Sequence, residues 1–190
     1  MLVLLIGSAV ALIAALLQQE TGSVPRSGTT VGQRRTTSSA VEQVVVPVAA
    51  VEAFDPEGSG TPGENNRLVA ASHDGDPATA WRTEGYLRQD FGTKRGVGLA
   101  ISLERARALS RVEITSPSIG WAASVYVLDS IPPGPPQGQP VAVVDSISGD
   151  RSIPLHGQRG RVVLLWITRL GSGGPPYRVD IAELRLFGDP

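Results

Sequence analysis

From Val44 to the C-terminus, apolar residues come in short segments with Gly, Pro, Asn and Asp between them, and no segment repeats at helical spacing. That pattern excludes a helical bundle and calls for strands. Residues 97–103 (VGLAISL) and 111–115 (RVEIT) alternate as half-buried strands do, and 124–128 (SVYVL) is rich in β-formers. Residues 140–145 (PVAVVD) follow a loop, 131–139, too dense in Pro and Gly to be a central strand. Residues 161–168 (RVVLLWIT) are apolar without a break, as in a strand buried on both faces. With 44–53 and a closing segment at 178–187, seven or eight strands are expected. Such a count without helices predicts an all-β, antiparallel β-sandwich over residues 44–190, and about 145 residues suffice for a two-sheet core.

The closing strand carries a parity conflict. Val179 and Ile181 face one way, whereas Ala182, Leu184 and Leu186 continue the apolar set on the other. A β-bulge near Ile181–Glu183 would reconcile the two and throw Glu183 off the regular ladder.

The first 43 residues differ in kind. Residues 1–17 (MLVLLIGSAVALIAALL) carry no charge. As a helix they reach about 25 Å against a hydrocarbon core of about 30 Å. No Lys or Arg precedes them and no small-x-small cleavage site follows, which disfavours a signal peptide. One N-terminal transmembrane helix is the expectation, with a signal peptide or a soluble helix as alternatives. Residues 18–43, rich in Thr, Ser and Gly, bury too little to order themselves and read as a flexible linker.

Composition removes whole classes of chemistry. The chain has no cysteine, so a disulfide scaffold, a Cys-ligated zinc site, an iron–sulfur cluster and a thiol nucleophile are excluded. A net charge of −1 gives no uniform basic field, so no nucleic-acid partner is expected. The two histidines leave little room for acid–base or metal work. His73 stands beside Asp74 without a nucleophile elbow, and His156 sits in a Leu-His-Gly-Gln turn.

What chemistry remains clusters at Asp74-Gly-Asp-Pro-Ala-Thr-Ala-Trp81. Gly75 and Pro77 force a turn that gathers Asp74, Asp76 and Thr79. Hard oxygen donors on a tight loop suit Ca²⁺. Asx turns, with the carboxylates bonded to backbone N–H groups, are the alternative. Among the tryptophans, Trp166 reads as core, Trp81 as a plug at the sandwich edge, and Trp121 as either core or part of a sugar face.

Two segments carry a family resemblance. Residues 66–81 (NRLVAASHDGDPATAW) resemble the A-x-D-G-D-x-x-T-x-W signature of discoidin, or coagulation factor five/eight type C, domains and related carbohydrate-binding modules. Residues 179–186 (VDIAELRL) resemble the closing strand of the same galactose-binding-like jelly roll. Residues 81–86, 93–99 and 165–170 are further similar to the extracytoplasmic tail of actinobacterial membrane proteins linked to peptidoglycan synthesis. There such a tail follows a lipid II flippase or kinase-like domain and one membrane helix; neither activity is carried over.

The resemblance implies a calcium site that joins the two ends of the domain. Its ligands would be Asp74 or Asp76, Thr79, Glu183 and the carbonyls of Ala71 and Ala182. It also implies a non-catalytic module that binds cell-envelope carbohydrate or a peptidoglycan precursor through loops at one end of the sandwich. Arg82, Tyr86, Arg88 and Trp121 are the compositional candidates for that face. A protein-docking or structural domain serving other cell-wall synthesis membrane proteins is the alternative, and an envelope hydrolase finds no supporting constellation. The resemblance places the domain outside the cell membrane on a single-pass anchor. Arg26, Arg34 and Arg35, which follow the apolar segment, would by the positive-inside rule place it inside.

Overall fold

A computed structural model of the chain describes residues 43–59 and 63–190. The expected membrane helix at 1–17, and the linker up to residue 42, lie outside the described residues. Among the described residues no helix is long and apolar enough to cross a membrane. The described residues fall within one compact unit.

Nine strands are found among the described residues: β1 (Val44–Val46), β2 (Ala50–Phe54), β3 (Trp81–Arg82), β4 (Val97–Thr115), β5 (Ile119–Leu128), β6 (Ala142–Ser148), β7 (Arg151–Arg169), β8 (Asp180–Ile181) and β9 (Glu183–Gly188). A 3₁₀ helix, Asn66–Ser72, follows β2. All the pairings are antiparallel. One hydrogen-bonded path runs β1-β9-β4-β7-β5-β6, with β2 also on β4, and β3 pairs with β8 as a separate ribbon.

The path doubles over because β4 and β7, 19 residues each, serve both layers of a β-sandwich. Residues 97–102 of β4 pair with 162–167 of β7, and 98–102 also pair with β2. Beyond register shifts between Ser102 and Arg107 and between Leu109 and Arg111, the rest of β4 pairs with β9 and with the first half of β7. Leu99, Ile101, Leu165 and Ile167 from one half pack in the same core as Val112, Ile114, Ile153 and Leu186 from the other. Residues from both halves of an unfolded ribbon could not share one core, so the ribbon is bent in two.

Residues 97–103 and 111–115 are therefore one strand, not two. The intervening Glu104, Arg105 and Arg107 break the alternation, yet the backbone continues through them as an irregular stretch. In β7 the Leu-His-Gly-Gln turn sits inside a strand: His156 and Gly157 adopt left-handed φ of 55° and 71°, and pairing resumes on both sides. The continuous apolar run of β7 is buried on both faces, as its sequence requires. Val163, Leu165 and Ile167 enter the main core, while Val162, Leu164 and Trp166 form an outer cluster with Phe54, Ala100 and Tyr126. Trp166 meets Phe54 edge to face, their ring centroids 5.6 Å apart.

The parity conflict near the C-terminus resolves as a change of partner. Ile181 pairs with Trp81 in β8, Ala182 donates its N–H to the carbonyl of Thr115, and from Glu183 onward β9 pairs with β4. The break leaves Ile181, Ala182 and Leu184 all buried. Similarly, 44–53 is two strands split at Pro47, which has no N–H to continue a ladder.

A buried polar group fastens the loop segment ahead of β4 to this core. Glu64 is fully buried, and its carbonyl accepts the indole N–H of Trp81 at 2.7 Å. Its carboxylate accepts the N–H of Glu84 at 2.9 Å and the hydroxyl of Tyr86. The Lys94 ammonium lies 2.8 Å from Asp55 and 3.6 Å from Glu64, so two carboxylates share one cation. Burial pushes the Glu64 carboxyl above its ordinary range, against the opposing bonds from Tyr86 and Glu84.

An acid whose pKa is higher folded than unfolded holds more protons in the native state between the two values. Its contribution to stability is fully present below about pH 4 and is lost as pH rises through the folded value. Denaturant unfolding of the wild type and of Glu64→Gln between about pH 4 and pH 8 checks this. Stability of the wild type relative to Glu64→Gln should fall as pH rises; a pH-independent difference would contradict the assignment.

Candidate functional site

The site is built where strand ends and loops meet. β3 and the ribbon partner β8 bring Arg82 opposite Asp180. The Arg82 guanidinium donates from Nε at 2.7 Å and from Nη2 at 2.6 Å to the two Asp180 oxygens. That bidentate pair holds Arg82 charged. Asp180 is itself fixed by the turn after β4: its N–H donates to the Ser118 hydroxyl at 2.8 Å, and its carbonyl accepts from the Ser116 hydroxyl at 2.6 Å.

Two clefts open on either side of this pair and share Arg82 and Arg178 as a common wall. The first, about 340 Å³, lies against the 117–119 turn and the 171–174 loop. The second, about 490 Å³, lies against Asn65, Arg67, Leu68 and residues 83–85. The backbone around them is cross-braced. Asn65, in a left-handed conformation, donates its side-chain amide to the carbonyls of Arg82 and Thr83 at 2.9 and 3.2 Å. Ser172 donates its N–H to the Ile119 carbonyl at 2.9 Å, and Gly171 its own to Arg178 at 3.1 Å. Tyr86 and Tyr177 exchange backbone bonds of 3.0 and 2.8 Å. A Cβ on Gly85 would stand 2.9 Å from Pro176 and 3.0 Å from Arg178 Nε, so the missing side chain lets Arg178 lie across that backbone.

The residues named from sequence for a sugar face do not assemble as one. Arg82 lines both clefts. Trp121 is fully buried in the main core, its indole N–H without a partner among the described residues, and it offers no ring to a ligand. Tyr86 is half-buried: its ring stands edge-on to Phe91 with centroids 4.9 Å apart, and its hydroxyl is bound by Glu64 and Lys94. Arg88 is exposed, pairs with Asp90 at 2.6 Å and lines neither cleft. Trp121 fills the main core and Tyr86 packs on Phe91, and neither position alternates with a polar neighbour that would reveal its face.

Arg67 and Arg178 were missed, and so was the 171–174 loop, which reads in sequence as a plain Gly/Ser connection. No local pattern marks these arginines. They belong to the site only because β3 and β8 pair across about a hundred residues of chain.

The acidic loop does meet the last strand. The N–H of Gly75 donates to Glu183 Oε1 at 2.6 Å across 108 residues. Within the loop both Asx turns form: Asp76 N–H to Asp74 Oδ1 and Ala78 N–H to Asp76 Oδ1, each 2.9 Å. Thr79 donates its hydroxyl to Asp74 Oδ2 at 2.8 Å. The Asp76 N–H and the Thr79 hydroxyl hold the Asp74 carboxyl below its ordinary range. Every donor here is oxygen, which is the chemistry a hard cation takes. Among the described residues no three His, Cys, Asp or Glu side chains group as a metal cluster. A cation at this loop would have to draw on Asp74 or Asp76, Thr79 and Glu183, whose oxygens the loop's own hydrogen bonds already engage.

No protein-family model matches the chain. Solved structures match it in fold. A truncated AlyQ with CBM32 and alginate lyase domains superposes with a TM-score of 0.57 at 16% identity, over 78% of this chain and 34% of that one. This chain thus spans about a third of that two-domain protein. The CBM32 of AlyQ alone, in complex with 4,5-unsaturated mannuronic acid, gives 0.56 at 16% identity over 76% and 98%. A chitosan-binding module of a Paenibacillus sp. IK-5 chitosanase/glucanase, in complex with chitotriose, gives 0.53 at 18% over 73% and 95%. At such identities the likeness carries the backbone and not the ligand. The fold is that of the β-sandwich carbohydrate-binding modules.

Proposed function

We propose that this chain is a membrane-tethered, non-catalytic binding module that engages cell-envelope carbohydrate or a peptidoglycan precursor outside the cell membrane. The observation that carries the reading is the pair of open polar clefts sharing Arg82 and Arg178 on a sandwich of this fold. Neighbours with the same fold are carbohydrate-binding modules, some solved with mannuronic acid, galactose or chitotriose bound. The uncharged 1–17 segment supports the tether, and the resemblance to peptidoglycan-linked membrane proteins supports the location. Residues 39–190 should be retained on insoluble peptidoglycan or on a glycan array. Retention on no polysaccharide, with co-purification of a membrane protein, would replace this reading with protein docking. An export-dependent phosphatase fused after Pro190 should be active, and a silent fusion would contradict the extracytoplasmic placement.

We further propose that Ca²⁺ binds at the 74–79 loop and Glu183 as a structural staple. Support comes from the all-oxygen donor set and from the existing contact between Gly75 and Glu183. A ligand that binds only the folded state stabilises it by mass action. At calcium about a hundredfold above its dissociation constant, the melting midpoint of residues 39–190 should rise by roughly 5–10 °C over chelator. Asp76→Ala and Glu183→Ala should each shrink that rise. A midpoint indifferent to calcium in wild type and variants alike would remove the site.

A further inference from the structure

The two clefts lack what a neutral-sugar site ordinarily presents. No aromatic side chain lines either of them, so no ring stacks on the apolar face of a pyranose. Their apolar surface is limited to Leu68 in one and Pro117, Ile119 and Pro176 in the other. What they offer instead is cationic. The larger cleft is lined by three arginines, Arg67, Arg82 and Arg178, against one acidic residue, Glu84. Arg82 is neutralised by Asp180, but among the described residues neither Arg67 nor Arg178 has a carboxylate within ion-pairing distance. This local excess stands in a chain whose net charge is −1, so it is not a reflection of overall composition.

The geometry suits a planar anion. A guanidinium presents paired N–H donors that match a carboxylate. Arg178 lies across Gly85 beside Pro176, and Asp180 locks Arg82, so the common wall is partly pre-set before a ligand arrives. We propose that this trough is an acidic-saccharide site, in which Arg178 and Arg67 hold the carboxylate of a sugar residue while the neighbouring rings lie along the Arg82 wall. The inference rests on the carbohydrate-binding reading and narrows its ligand to carboxylate-bearing glycan.

Calorimetric titration of residues 39–190 with trigalacturonate, with its carboxyl-reduced neutral counterpart and with chitotriose tests it. Trigalacturonate should bind at least tenfold more tightly than either neutral trisaccharide, and its affinity should fall with added salt. Arg178→Gln and Arg67→Gln should each weaken it roughly tenfold. Arg178→Lys, which keeps the charge and loses the fork, should fall between. Arg159→Gln, a surface arginine outside both clefts, should bind as wild type does, and unchanged melting midpoints would exclude misfolding as the cause. Equal affinity for the carboxyl-reduced sugar, or full affinity in both glutamine variants, would overturn the acidic class while leaving a carbohydrate module in place. Failure to bind these probes, alongside retention on a neutral polysaccharide, would do the same. Retention on no glycan at all would remove both readings.

Discussion

The antiparallel pairing of β4 with β7 over most of their 19 residues each is the constraint on which the rest depends. It demands close approach. A Cβ on Gly98 would stand 1.8 Å from the Leu165 carbonyl oxygen, so no larger residue fits there without moving backbone. It also demands a bend, supplied by the irregular stretch after Ser102 and by the left-handed His156 and Gly157. A ribbon bent in half brings its two ends together. The turn after β4 therefore meets the loop after β7, where Ser172 bonds to Ile119 and Ser116 to Asp180. The clefts lie at that meeting, and their geometry follows from a fold in the ribbon about half a strand away.

The same logic separates the two polar clusters of the domain. Glu64, Tyr86, Lys94 and Asp55 sit inside, satisfied largely by one another, and hold the 64–94 segment against Trp81. Buried charge of this kind costs desolvation and gives little net stability, but it fixes which way a segment lies. Arg67 and Arg82 sit outside on the segment so fixed, and Arg178 stands beside it next to Tyr177, which exchanges backbone bonds with Tyr86. The inner network positions the segment, and the outer arginines line the clefts. The distinction explains why Tyr86, close in sequence to Arg82, serves structure and Arg82 serves the cleft wall.

Much of the fold was legible in the sequence because alternation and turn residues are local signals. The run at 161–168 announced burial on both faces, and the parity conflict at 179–186 announced an irregularity near Ile181–Glu183, expected as a β-bulge and found as a change of partner. Boundaries failed where a strand crosses charged residues, as at 104–107, or makes a left-handed excursion, as at 156–157. The meeting of Gly75 with Glu183 was legible only through the family resemblance, since nothing local links residues 108 apart. The arginines of the clefts were not legible at all. Arg67 and Arg178 lie far apart in sequence, carry no motif and become neighbours only through the β3–β8 ribbon. Trp121 misled for the opposite reason: an aromatic after Ser-Ile-Gly suits a sugar platform and a core equally, and the need to fill the sandwich decided it.

Backbone amide chemical-shift mapping of residues 39–190 during titration with an acidic oligosaccharide tests the central claim most directly, because it reads where the ligand sits as well as whether it binds. The account predicts perturbations confined to residues 65–68, 82–85, 117–119 and 171–180, with little change in the outer cluster around Trp166. Perturbations centred elsewhere on the sandwich, with those segments unmoved, would contradict it.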